Sequence, residues 1–184
     1  MYKDASELMS QCKEQNKRIW QIAVENEMKL TSSSYEDILS HFDDRLEIMF
    51  HSAQKALNAK QATKGGLIDG VAKTQYDYSK KENISGRYIN YVMSLAYSCS
   101  EVNASMGKIC ASPTAGSCGI VPAVLLGLSQ AKNISRQKTL EGLITASAVG
   151  AIYTKNATVA GADGGCQAEC GVARSMAAAA AAYM

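Results

Sequence analysis

Residues 111–126, ASPTAGSCGIVPAVLL, constrain this chain more than any other stretch. They hold both of its prolines, Gly116 and Gly119, and then a nearly continuous apolar run. A helix on a protein surface needs a polar face. This run offers none, so it predicts a helix buried on all sides. The turn ahead of it then delivers backbone N–H groups into the interior, where a partner must satisfy them.

The rest of the sequence reads as helix. Residues 5–28 carry Leu8, Cys12, Ile19, Ile22 and Ala23 as a loose stripe. In 34–57, Ser34 and Asp37 make a capping-box-like start. There Tyr35, Ile38, Leu39, Phe42, Leu46, Met49, Ala53 and Leu57 recur at helical spacing. KQATKGGLIDG breaks that pattern, and a short helix is expected over 67–81. From 86 to 105, Tyr88, Tyr91, Val92, Leu95, Ala96, Cys99 and Val102 fall on one side. The buried helix should run to about Ala131. Ser135 then caps another, which points Leu140, Leu143, Ile144 and Ala151 toward the core. NATVAGADGG is a second glycine-rich break, and the alanine-rich end is a strong helix former. Strand-like alternation is missing apart from fragments such as KIC. The expectation is an all-α helical bundle, one domain over 1–184, with two glycine-rich turns forming the site. Because the alanine run ends without a capping glycine or polar tail, the chain reads as part of a longer polypeptide.

Composition narrows the function. With 47% hydrophobic and 20% charged residues and a net charge of +2, the chain is an ordinary globular sequence with no electrostatic case for nucleic acid. The least polar stretches, 142–153 and 175–184, are too short to span a bilayer. The N-terminal residues lack an apolar signal-peptide core, so a cytoplasmic location is expected. The six cysteines there are thiols, metal ligands or core residues rather than disulfides.

Two turns could carry chemistry. In the first, Gly116 and Gly119 allow close backbone approach, Ser112, Thr114 and Ser117 add hydroxyls, and a helix N-terminus follows. That set suits a small anion such as an amino-acid carboxylate. It equally describes a plain helix entry, with Pro122 favoured in the first turn. The second is GADGGCQAECGVARSMAA, where Cys166 and Cys170 share a helix face at i, i+4. Thiolates there suit a soft metal or an iron–sulfur cluster, although a small buried thiol is the commoner fate of cysteine. His41 and His51 lie on a charged helix, as surface or cap residues.

EVNASMGKICASPTAGSCGIVPAVL and KNATVAGADGGCQAECGVARSMAAAAA closely resemble the α subunit of iron–sulfur-dependent L-serine dehydratases, from about residue 62 to the end. The resemblance implies an all-helical catalytic domain, working in serine degradation and gluconeogenesis without pyridoxal phosphate. It implies a 4Fe–4S cluster held by three cysteines, with one iron open to polarise the serine β-hydroxyl while a base removes the α-proton, giving pyruvate and ammonia. Cys166 matches the first cluster ligand. Ser112, Pro113, Thr114, Ala115 and Gly116, with Ser117 beside them, match the substrate-carboxylate loop. Cys110, Cys118 and Cys170 match no ligand position and are assigned to packing, Cys170 being the nearest to an exception. Asp163 stands where the family has glutamate. The family's CDPVxGxVxxPC-type segment, with the other two ligands, is not in this chain. Nor is the regulatory region, which this subfamily keeps on a separate β subunit. The 184 residues are therefore expected to be inactive alone, to lack the cluster and to seek an oligomeric partner.

The acid–base candidates are Lys155, Asp163 and Glu169, with Lys108 flanking the first turn. Lysine serves as a base only where burial lowers its pKa; solvation, capping and salt bridging are the ordinary roles of all four. Two other functions fit the same residues. One is a non-catalytic helical partner or paralogue keeping the fold. The other is a zinc module of Cys110, Cys118, Cys166 and Cys170.

Overall fold

The structure, a computed structural model, describes residues 2–184. In chain order its helices are α1 (Ala5–Gln15), α2 (Ile19–Thr31), α3 (Tyr35–Lys55), α4 (Val71–Ser79), α5 (Arg87–Ala104), α6 (Ile120–Lys132), α7 (Arg136–Asn156), α8 (Gly161–Cys166) and α9 (Val172–Tyr183). A single 3₁₀ turn, Ala115–Ser117, precedes α6, and a π turn, Gln167–Gly171, joins α8 to α9. No strand occurs among the described residues, so the fold is all-α as expected, and residues 107–111, KIC included, carry no regular structure.

The apolar helix α6 lies at the centre. Val121 and Leu125 join Val24, Leu46, Met49, Ile144, Val172 and Met176 in the main core, between α2, α3, α7 and α9. Ala123 and Leu126 turn the other way, against Leu95 and Cys99 of α5 and Ala53 of α3. Both faces are covered, which is why the helix needs no polar stripe. Its approach to α5 depends on missing side chains. A Cβ on Gly119 would lie 2.5 Å from the Ala96 carbonyl oxygen, and one on Gly127 would lie 2.6 Å from Val92 Cγ2.

Small residues also let α7 and α9 pack closely. Gly142 sits against Met184 and Gly150 against Met176, an antiparallel pairing. The alanines that give α9 its helix propensity also bury Ala173, Ala177 and Ala180. A third cluster, Tyr2, Leu8, Cys12, Ile22 and Ala148, fastens α1 onto α2 and α7.

The expected caps are present. Asp37 N–H donates to Ser34 Oγ at 3.1 Å while the Ser34 N–H donates back to Asp37 Oδ2 at 3.2 Å, and Lys138 N–H donates to Ser135 Oγ at 3.2 Å. Four expectations need correction. The 5–28 stripe is two helices, because Asn16 takes a left-handed conformation, φ 49°, and its N–H closes α1 onto Cys12 and Lys13. The helix expected over 67–81 starts at Val71. Asp69 Oδ1 accepts from the Thr63 N–H at 2.9 Å and folds 63–69 into a loop, and Gly70, at φ 75°, makes the left-handed entry into α4. Ala151 is exposed, since Ala146, Ala148 and Gly150 take the inward positions of α7. Tyr35 and Tyr88 are exposed at the starts of α3 and α5.

Candidate functional site

The first turn is held from inside. Asn103 at the end of α5 donates from Nδ2 to the Ala115 carbonyl at 3.2 Å. Within the turn, Ser117 Oγ donates to the Ser112 carbonyl at 3.2 Å, and the Ser112 N–H donates to the Thr114 carbonyl at 3.3 Å. Ser112 and Ser117 are buried, Thr114 is half-buried, and Ala115 and Gly116 are exposed. The Ser112 hydroxyl has no hydrogen-bond partner despite its burial. An unpaired buried hydroxyl costs about 1–3 kcal/mol.

The second segment reaches this turn through one side chain. At Gly165 the backbone takes φ 65°, ψ −167°, conformations that favour glycine, and breaks the path from α8. The π turn that follows brings Glu169 against the first turn, and such turns frequently mark functional sites. Thr114 Oγ1 donates to Glu169 Oε1 at 2.8 Å. A Cβ on Gly116 would stand 2.7 Å from Glu169 Oε2, and a Cβ on Gly161 would stand 2.9 Å from its Cδ. The carboxylate is thus seated between two glycines separated by 45 positions in sequence, with a hydroxyl donating to it.

Cys166 is exposed and Cys170 half-buried, with their sulfurs 3.5 Å apart. The hydrogen bond with Cys166, with burial, pushes the Cys170 thiol up. The other cysteines are elsewhere. Cys12, Cys99 and Cys118 are buried and Cys110 half-buried; burial drives Cys99 up to about 12 and Cys118 up to about 11. Two adjacent thiols do not make the three-thiolate set of the expected cluster. Among the described residues no group of three His, Cys, Asp or Glu could hold a metal ion. These residues alone therefore do not fit the whole group.

The remaining candidates make their contacts elsewhere. A cleft of about 510 Å³ borders the turn at Pro113 and is also lined by Ala151, Thr154 and Lys155. Lys155 Nζ donates to the Tyr2 carbonyl at 3.4 Å. Asp163 is exposed and accepts from Thr158 Oγ1 at 3.1 Å, a contact within its own segment. Lys108 lies with His51 and Glu47 in a separate recess, and His41 is exposed on α3. Glu169, among the acid–base candidates, is the one hydrogen-bonded to the first turn.

Two supporting residues escape the sequence reading, although both stand in EVNASMGK. Glu101 is fully buried, and its Oε1 accepts from the Ala72 N–H at 2.6 Å, capping α4. Asn103 pins Ala115 as above. The available signal was a Glu and an Asn two residues apart at the end of α5, just ahead of the glycine- and hydroxyl-rich turn. Gly161, the second wall around Glu169, carried no signal beyond being one of several glycines.

Comparisons with known proteins give the family. The family model described as serine dehydratase alpha chain matches residues 14–184. The chain is 42% identical over 181 residues to the L-serine dehydratase alpha chain of Peptoniphilus asaccharolyticus, covering 98% of this chain and 62% of that protein. It is 38% identical to a probable L-serine dehydratase alpha chain of Bacillus subtilis, covering 98% and 60%. Against L-serine dehydratase 1 of Escherichia coli it is 32% identical, covering 97% of this chain but 40% of that protein. The chain thus spans about three-fifths of the length of its alpha-chain relatives. With the turn, the glycine-walled carboxylate and the paired thiols in one place, and a family match running across α2 to α9, this chain belongs to the serine dehydratase alpha-chain family.

Proposed function

We propose that these 184 residues are one helical domain, the N-terminal part of the catalytic subunit of an L-serine dehydratase, which converts L-serine to pyruvate and ammonia. The hydrogen bond from Thr114 to Glu169 carries the reading, because it joins the carboxylate-type turn to the cysteine-bearing segment. The buried, unpartnered Ser112 hydroxyl supports it further, as a polar group without a protein partner.

In this reading Ser112, Thr114, Ala115, Gly116 and Ser117 bind the carboxylate of L-serine through hydroxyls and main-chain N–H groups. Fixing that end orients the Cα–H bond for proton removal. Glu169 is the acid–base group of first choice, being hydrogen-bonded to the turn. Lys155, in the cleft that Pro113 borders, and Asp163, in the second segment, are the alternatives. Cys166 would supply one thiolate to a 4Fe–4S cluster, which would need its other ligands from outside these residues. The same reading gives the chain a separate β subunit, an oligomeric assembly and a cytoplasmic location, where thiols stay reduced. No helix among the described residues is long and apolar enough to cross a membrane.

The test is selective binding. L-Serine added to the chain should shift the amide NMR signals of residues 112–119, and ethanolamine, the same molecule without its carboxylate, should not. An equal response to ethanolamine, or a response confined to another part of the molecule, overturns the reading.

A further inference from the structure

We propose that the Glu169 carboxylate occupies the place an incoming amino acid's carboxylate takes on the 112–117 turn, so that ligand entry and Glu169 departure are a single exchange. The inference rests on the carboxylate reading above and adds a competitor built into the chain.

Three observations support it. The first is donor supply. Thr114 Oγ1 carries one hydrogen and donates it to Glu169 Oε1 at 2.8 Å. A hydroxyl donates once, so it cannot serve a second carboxylate while Glu169 holds it. The second is space. The carboxylate lies so close to Gly116 and Gly161 that even a methyl on either would stand within 2.9 Å of it. The gap between the turns is filled by a group with the shape and charge of the ligand's own acid end. The third is the weakness of its other attachments. Among the described residues no Lys, Arg or His forms an ion pair with Glu169. One hydroxyl donates to it, the two glycines only leave room for it, and the π turn that bears it runs from Gln167 to Gly171. A carboxylate bound in this way can leave without stranding a buried cation.

The exchange sets a threshold for binding. Every carboxylate ligand must displace an equivalent group of locally high effective concentration. Removing that group should raise the turn's affinity for any carboxylate, in contrast to the loss expected from a simple contact residue.

The experiment titrates L-serine and acetate, in parallel, into the parent chain and into Glu169→Ala, Glu169→Gln and Glu169→Asp, following the amide signals of residues 112–119. Glu169→Ala should bind both ligands about tenfold more tightly than the parent, equivalent to about 1.4 kcal/mol. Glu169→Gln keeps an acceptor for Thr114 and loses only the charge, so its gain should be smaller, about threefold. Glu169→Asp, which withdraws the carboxylate by one methylene, keeps the fold testable should the alanine variant lose structure, and its affinity should also exceed the parent's. Unchanged or weaker binding in these variants, with the same turn still responding, overturns the exchange and leaves Glu169 a strut, while the carboxylate reading stands. No response of residues 112–119 to either ligand in any variant overturns the carboxylate reading and this inference with it.

Discussion

The two turns that meet at Glu169 are built in opposite ways. The first is anchored to the centre of the molecule: Gly119 lies against the α5 backbone, Ser112, Ser117 and Cys118 are buried, and Val121 and Leu125 continue into the main core. The second is exposed from Ala162 to Gln167. No residue of α8 or the π turn is buried, and Glu169 provides its hydrogen bond to the first turn. Local stability follows the density of buried apolar contacts. A firm receptor and a lightly held partner therefore share one site, and the lightly held side carries the exposed Cys166 and the half-buried Cys170.

That contrast can be broken most forcefully at the core beneath the first turn. Leu125→Ala should destabilise the chain by about 2–5 kcal/mol, read as a fall in the denaturant midpoint; a loss below about 1 kcal/mol would show that α6 is not central.

Next comes the difference between thiols. Burial holds Cys99 up at about 12, against an ordinary value of 9.0. Its contribution is fully present below pH 9 and lost as pH rises toward 12, because the unfolded thiol ionises first. Over that window the stability should fall by roughly 1.4 kcal/mol per pH unit from this group, and Cys99→Ala should flatten the slope. Cys166, exposed, should react with a thiol reagent in the folded chain, whereas Cys99 and Cys118 should react only on unfolding. Equal labelling of all three would erase the distinction between the regions.

Glycines give a sharper pair. Gly119→Ala drives a methyl into the Ala96 carbonyl and should cost about 1–3 kcal/mol. A double-mutant cycle of Thr114→Val and Glu169→Ala, each of which removes one partner of the hydrogen bond, should then show a coupling of about 0.5–1.5 kcal/mol; zero coupling would mean the turns touch without supporting each other. The smallest effect has the opposite sign. Gly171 is helical at φ −63° with nothing within 4 Å of an added Cβ. Gly171→Ala should therefore raise stability by about 0.4–1 kcal/mol, visible as a higher midpoint.

What was legible in advance was local. Ser34 with Asp37 and Ser135 ahead of Lys138 mark helix starts because the capping partners sit three residues apart. The unbroken apolar run of α6 announced burial on all sides because no rotation of that helix offers water a polar face. Glycines and hydroxyls ahead of it marked the turn, and the long motifs around residues 101–125 and 155–181 carried the family. Where expectation failed, a neighbour outside the pattern had decided the outcome. Asp69 captured Thr63 and delayed α4, Asn16 ended α1 early, and the competition of Ala148 and Gly150 for the core left Ala151 in the cleft.

The chain's order of residues by itself determined the helices, their caps, the buried α6 and the chemical character of each turn, since these depend on groups within a few residues of one another. Only the tertiary structure decided that Thr114 and Glu169, 55 positions apart, share a hydrogen bond, and that Gly116 and Gly161 wall the same carboxylate. Those contacts exist because α9 packs against α6 and α7 and draws the cysteine segment over the first turn. No local periodicity encodes a packing of that range.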